Sequence, residues 1–262
     1  MAVRPAFGGS LRWRTGSSRW RVGPATLALA VAGLLATAPP VALAGYQASV
    51  YSNWTAFNPC IGRADPFPDK MRLAAVAAFA DLGFTTTGFT RAGFTRTAFL
   101  NRTPADWAVY VHSHGDFYNN KPGFRADGGV CSGAVTTSAD IATKRPSSQQ
   151  TNFVIMSTCH LGESDARNNM PLVYGIEKLK AGSTSWRGPE FYLGYIGSAW
   201  DDDEWEFEVL FWDRVRGGSN VGHAFDIALA NGSYRAGFDA DWWGSYTYLG
   251  HPGPYSSCPN CI

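Results

Sequence analysis

Thr151-Asn152-Phe153-Val154-Ile155-Met156-Ser157-Thr158-Cys159-His160-Leu161-Gly162-Glu163-Ser164 is the stretch on which the fold turns. Phe153 to Met156 is an apolar run of strand length, followed by two small polar residues, a thiol and, soon after, Gly162. An uninterrupted apolar run of this length predicts a strand covered on both faces, as in a parallel sheet. Ligands of open α/β sheets collect at the C-terminal strand ends. Cys159 is therefore a candidate nucleophile by position, and the alternative is a buried structural thiol or half of a disulfide.

The segments on either side alternate between strand and helix signals. Tyr46 to Tyr51, Thr85 to Thr90, Asp106 to Val111 and Phe191 to Ile196 read as further strands. Leu73, Val76, Ala77 and Ala80 recur at helical spacing within Asp69 to Leu82, which stops at Gly83. Shorter helical patterns are expected near Thr95 to Asn101, from about Ser138 after a hairpin, and over Met170 to Lys180. Two helices close the pattern: Glu204 to Arg216, with Asp201, Asp202 and Asp203 ahead of it, and a helix capped by Ser219. Phe238 to Ile262 reads as an aromatic, glycine-rich tail. The fold class expected is α/β, a three-layer sandwich with a mostly parallel sheet and helices on both faces.

Arg4, Arg12, Arg14, Arg19 and Arg21 precede an apolar core, Ala25 to Ala36, and the small-residue site Ala42-Leu43-Ala44. This is the pattern of a secretory signal cut after Ala44, which leaves a single domain over 45–262 and an extracellular or cell-envelope location. The apolar core is too short for a span, so no membrane association is expected after cleavage. A net charge of +1 gives no electrostatic footprint for nucleic acid. With 45% apolar and 14% aromatic residues the chain can bury a large core. Export permits disulfides, and the five cysteines are Cys60, Cys131, Cys159, Cys258 and Cys261. An odd count leaves one thiol over; chemistry assigns that role to Cys159, with three pairings open to the other four.

A second strand also ends in reactive side chains, His112-Ser113-His114-Gly115-Asp116. If the strands ending at Val111 and Met156 are parallel neighbours, His114 reaches Cys159, where an imidazole serves as general acid/base to a thiol. The N-H groups of Gly115 and Cys159 are then candidate oxyanion donors. His112 is expected to pack against the strand, facing away from the site.

This set, an apolar strand then His114-Gly115, a hairpin segment, an apolar strand then Ser157-Thr158-Cys159 with Gly162, resembles the caspase-like cysteine peptidases of clan CD, gingipain-like and CHAT-like domains included. Gly197 to Asp203, Arg216-Gly217-Gly218-Ser219 and Tyr248-Leu249-Gly250-His251-Pro252 are similar to later segments of those domains. The resemblance implies a caspase-type sandwich and a cysteine hydrolase acting on peptide or protein substrates, with Cys159 as nucleophile, His114 as general acid/base and no cofactor. It also implies that Asp201, Asp202 or Asp203 receives a basic P1 side chain, against the plainer reading that these acids only complement a helix N-terminus. His160 departs from the family pattern; it either contacts substrate or is a solvated loop residue.

Two other readings compete. His112-x-His114-x-Asp116 opens like the zinc signature of metallo-β-lactamases, although Phe117 stands where a further His belongs. A catalytically silent binding or adhesion domain is the other. Cys258-x-x-Cys261 in a tail is read as a disulfide element.

Overall fold

The computed structural model describes residues 46–145, 151, 153–163, 170–176 and 191–244. The leader, His251, Cys258 and Cys261 lie outside the described residues. In chain order the elements are β1 (Gln47–Ser52), β2 (Phe57–Asn58), β3 (Arg63–Ala64), α1 (Phe67–Asp81), β4 (Thr85–Thr90), α2 (Arg96–Arg102) and β5 (Ala108–His112). There follow β6 (Gly115–Tyr118), β7 (Lys121–Arg125), β8 (Val135–Thr137), α3 (Ser138–Ala142), β9 (Phe153–Ser157) and α4 (Met170–Val173). The last are β10 (Phe191–Ile196), α5 (Asp201–Arg216), α6 (Val221–Asn231) and β11 (Asp239–Gly244).

Six strands form one sheet in the order β11-β10-β9-β5-β1-β4, parallel throughout except for the antiparallel β10–β11 pair. The two-residue period of each strand sends alternate side chains into two cores. Ala108, Tyr110, Phe153, Ile155, Phe191 and Leu193 pack with Phe79 of α1, Phe207 and Phe211 of α5 and Phe225 of α6. Val109, Val111, Val154, Met156 and Tyr192 face the other way, onto Phe99 of α2, Ile141 of α3 and Met170 of α4. Helices thus cover both faces, as expected. Phe153 shows why the run is uninterrupted: its ring stacks on Phe191 at 5.3 Å and meets Phe79 at 5.8 Å, on a strand paired on both sides. Burying one such ring contributes on the order of 1.5–3 kcal/mol.

Three local expectations change. Part of the presumed tail is the edge strand β11, because Trp242 enters one core and Trp243 the other. Helix α6 is capped by Asn220, whose side chain accepts from the His223 N-H at 2.8 Å; Ser219 lies one residue before it. The last part of the helix read over Met170 to Lys180 lies outside the described residues, and α4 ends at Val173. The expected hairpin is β6–β7, turned by Asn119 and Asn120, both at positive φ (54° and 59°), the conformation of a type I′ turn. No helix among the described residues is long and apolar enough to cross a membrane.

Candidate active site

Register decides which side chains meet. In the parallel β5–β9 pair His112 lies opposite Ser157. Two residues further along each chain stand His114 and Cys159, so the two sites leave neighbouring strands level with each other. Gly115 confirms the closeness: a Cβ placed there would lie 2.2 Å from the Cys159 carbonyl oxygen and 2.9 Å from Thr158 Oγ1. No larger residue fits beside the cysteine backbone. Gly162 is required in the same way, since a Cβ there would lie 2.2 Å from the Gly194 carbonyl oxygen.

His114 and Cys159 line one cavity of about 780 Å³ at the C-terminal edge of the sheet, walled also by Trp54, Asp65, Trp200 and Asp201. Cys159 is the free thiol among the described residues. Its Sγ accepts from the Ala199 N-H at 3.4 Å and donates to the Ala199 carbonyl at 3.6 Å. Burial, and then the neighbouring Glu204 carboxyl, push its pKa up to about 11. The His114 ring leans edge-on against Trp54, centroids 4.5 Å apart. Burial pulls the imidazole below its ordinary pKa, against the opposing pull of Asp201. Both partners are therefore held neutral at pH 7.

An acidic floor lies beneath them. Asp201, at the start of α5, takes His112 Nε2 at 3.4 Å, and Glu204 is 3.7 Å from the same nitrogen. His112 is buried beneath the cavity, not in its wall: residues two apart on a strand share a face, so it follows Tyr110 onto the side covered by α5, where it meets these acids. The packing role expected of it holds, whereas the direction away from the site is corrected. Contact with His112 holds Asp201 below the usual carboxylate range despite its burial. Asp65, from the loop before α1, is pushed up to about 6 by burial and by Asp201 beside it. Glu204 accepts from Ser157 Oγ at 3.2 Å and, fully buried, is driven well above its ordinary pKa. Glu208 accepts from Tyr110 and Tyr195 hydroxyls at 2.8 and 3.2 Å. At neutral pH the floor therefore carries the charges of Asp201 and Asp65.

The acids of α5 separate into different roles. Asp201 and Asp202 line the cavity, whereas Asp203 is buried outside its wall. Arg235 takes both of the latter: its guanidinium bonds Asp202 and reaches Asp203 at 3.4 Å, and its N-H donates to Asp203 at 3.2 Å. His160 is not in the cavity wall. It sits at φ 64° with Nδ1 2.6 Å from Glu163, its ring toward Phe117. His112, His114 and Asp116 do not converge as metal ligands: Asp116 is exposed and accepts from the N-H of Phe117. Among the described residues the groupings that do form are His112 with Asp201 and Glu204, and His114 with Cys60 and Cys131.

Asp65, Glu204 and Trp54 were not anticipated. Glu204 and Glu208 carry a readable signal, because they stand at i, i+4 in the stripe that continues through Phe211, Trp212 and Val215, where apolar residues are expected. Asp65 and Trp54 sit in loops and carry none.

No family model and no curated protein matches the chain. Among solved structures, the fold is similar to the Drosophila initiator caspase Dronc, at a TM-score of 0.44 and 11% identity over 79% of this chain and 83% of that one. It is similar also to protein GSU0716 from Geobacter sulfurreducens, at a TM-score of 0.43 and 10% identity over 78% of this chain and 96% of that one. The reading of the site rests on its own geometry.

Proposed function

We propose that the protein is a caspase-like cysteine hydrolase that cleaves peptide bonds after a basic residue. The observation that carries this reading is a free thiol and an imidazole brought level by the β5–β9 register, above a floor of paired carboxylates in one cavity. His114 is the base that takes the Cys159 proton as sulfur attacks the scissile carbonyl. It then returns that proton to the leaving amine, and water hydrolyses the thioester by the same path. The N-H groups of Gly115 and Cys159 are the proposed donors to the oxyanion.

Specificity follows from charge. Asp201 and Asp65 offer a cationic side chain two carboxylates in a partly desolvated site, where charge-assisted hydrogen bonds are strong. Asp202 and Asp203 are already engaged by Arg235. The same charge links binding to chemistry. Glu204 and Asp201 help to hold the thiol protonated, so a cation seated against Asp201 offsets that field and lowers the thiol pKa when substrate is present. His160 is proposed as a loop-bracing residue, its Glu163 partner also accepting from the Gly197 N-H at 3.1 Å.

Fluorogenic peptides that differ only at P1 test the reading. Arg and Lys are expected to be cleaved and Asp not, and Cys159→Ala is expected to abolish turnover. Equal cleavage of all three by Cys159→Ala protein would dispose of the proposal.

A further inference from the structure

His114 has sulfur beside it as well as the acid floor. Cys60, in the turn between β2 and β3, is disulfide-bonded to Cys131, in the loop between β7 and β8. Both Sγ atoms and a ring nitrogen of His114 lie within 4.8 Å of one another, all three residues half-buried. In the oxidised chain the sulfurs cannot ligate a metal. Reduced, they are two thiols beside an imidazole that burial already keeps in its neutral, ligating form.

We propose that reduction of the Cys60–Cys131 bond creates a zinc-type metal site, Cys60-Cys131-His114, which withdraws His114 from Cys159. Two thiolates and one imidazole are a soft donor set suited to zinc, with the fourth tetrahedral position left to solvent. Metal–ligand distances of about 2.0–2.3 Å place tetrahedral ligands about 3.5–3.8 Å apart. On reduction the sulfurs are free to separate to that spacing, and the His114 nitrogen, within 4.8 Å of both, closes what gap remains. The chemistry balances in two steps. A dithiol reductant passes two electrons and two protons to the S–S bond and leaves as its own cyclic disulfide. The divalent ion then displaces both thiol protons and accepts the imidazole lone pair. The β2–β3 segment, which lends Asn58, Ile61 and Arg63 to the cavity wall, is held by the same pair of sulfurs. Metal uptake is independent of the peptidase reading; only its effect on turnover rests on that reading.

The test is a cobalt(II) titration of the full chain carrying Cys258→Ser and Cys261→Ser, which removes the other cysteine pair. The dithiol-reduced protein is expected to bind one ion per chain with a near-ultraviolet thiolate-to-cobalt band, and the oxidised protein to show none. His114→Ala should weaken binding by more than the about 10–100-fold that follows loss of a group that merely orients a ligand. His114→Cys, which restores a third soft ligand, should retain it. Uptake that is unchanged in His114→Ala, uptake by the oxidised chain, or no uptake by the reduced chain, folded or unfolded by circular dichroism, overturns the proposal. A parallel assay on the P1-Arg peptide separates the two readings: zinc should inhibit only the reduced protein. A chain that binds cobalt as described but is inactive in every state keeps the metal site and sinks the peptidase.

Discussion

On one wall of the cavity, His114 and Cys159 are held by an aromatic edge and a loop backbone, and burial keeps both uncharged. On the other, every acid has a partner: Asp201 has His112, Glu204 has Ser157, Asp202 has Arg235. The first wall is positioned by the sheet, through the β5–β9 register and the glycines that let the backbones meet. The second is positioned by the first two turns of α5. A reactive pair that is geometrically fixed but electrostatically idle stands beside a charged surface that is fully braced. Under the proposed function the floor reads the substrate, and the dyad's protonation answers to what the floor binds.

The most severe way to break the comparison is to remove the idle wall. His114→Ala is expected to lower kcat/KM for the P1-Arg peptide by about 10²–10⁴-fold, the usual share of a general acid/base, with an unchanged thermal melt because the ring carries no part of either core. A variant that unfolds would make His114 a structural residue instead.

Next comes the floor. Asp201→Asn is expected to cost about 2–4 kcal/mol in transition-state binding of a basic P1, roughly 30- to 1000-fold in kcat/KM. It should raise the rate of simple iodoacetamide alkylation, because a negative charge near Cys159 has gone. Those opposite signs distinguish a charge effect from a collapsed site. Asp65 sharpens the point through pH. Its raised pKa, about 6, means that it gains its charge as pH rises through that value. KM for the P1-Arg peptide should therefore fall between about pH 5 and 7, and Asp65→Asn should erase that limb.

The smallest effect is assigned to the exposed pair. Arg235→Ala should move the melting temperature little, since its exposed pair with Asp202 adds little and the backbone N-H at 235 still donates to buried Asp203. KM for the P1-Arg peptide should drop slightly, because Asp202, already in the cavity wall, is released.

Much of this was legible in the residues. The β4 and β10 boundaries follow from β-branched and aromatic runs between glycines, and the Phe153 run implied a strand covered on both faces. Cys159 and His114 were legible because each follows an apolar strand, and parallel neighbours share an edge. What escaped has physical causes. β11 is rich in Asp and Trp and lies in a glycine-rich stretch, and its alternation, Asp239 to Trp242, breaks at Trp243, since the two tryptophans enter opposite cores. The acid floor was half visible: the Asp201-Asp202-Asp203 run was plain, but which acid faces the cavity depends on the helical phase of α5 and on Arg235, 33 residues from Asp202. Asp65 arrives from a loop whose path is set by tertiary contacts. His112 was misjudged for a local reason: the strand ends with it, so its side chain continues the Tyr110 face while His114 already belongs to the turn.

The measurement closest to the central claim is the pH dependence of Cys159 labelling, compared between iodoacetamide and an acyloxymethyl ketone carrying a P1 Arg, with the adduct mapped by mass spectrometry. The account predicts both adducts on Cys159, an iodoacetamide rate still climbing toward pH 11, and a ketone profile displaced to lower pH by the bound cation. Ketone and iodoacetamide profiles that coincide, or a Cys159 found in a disulfide in the native protein, would contradict it.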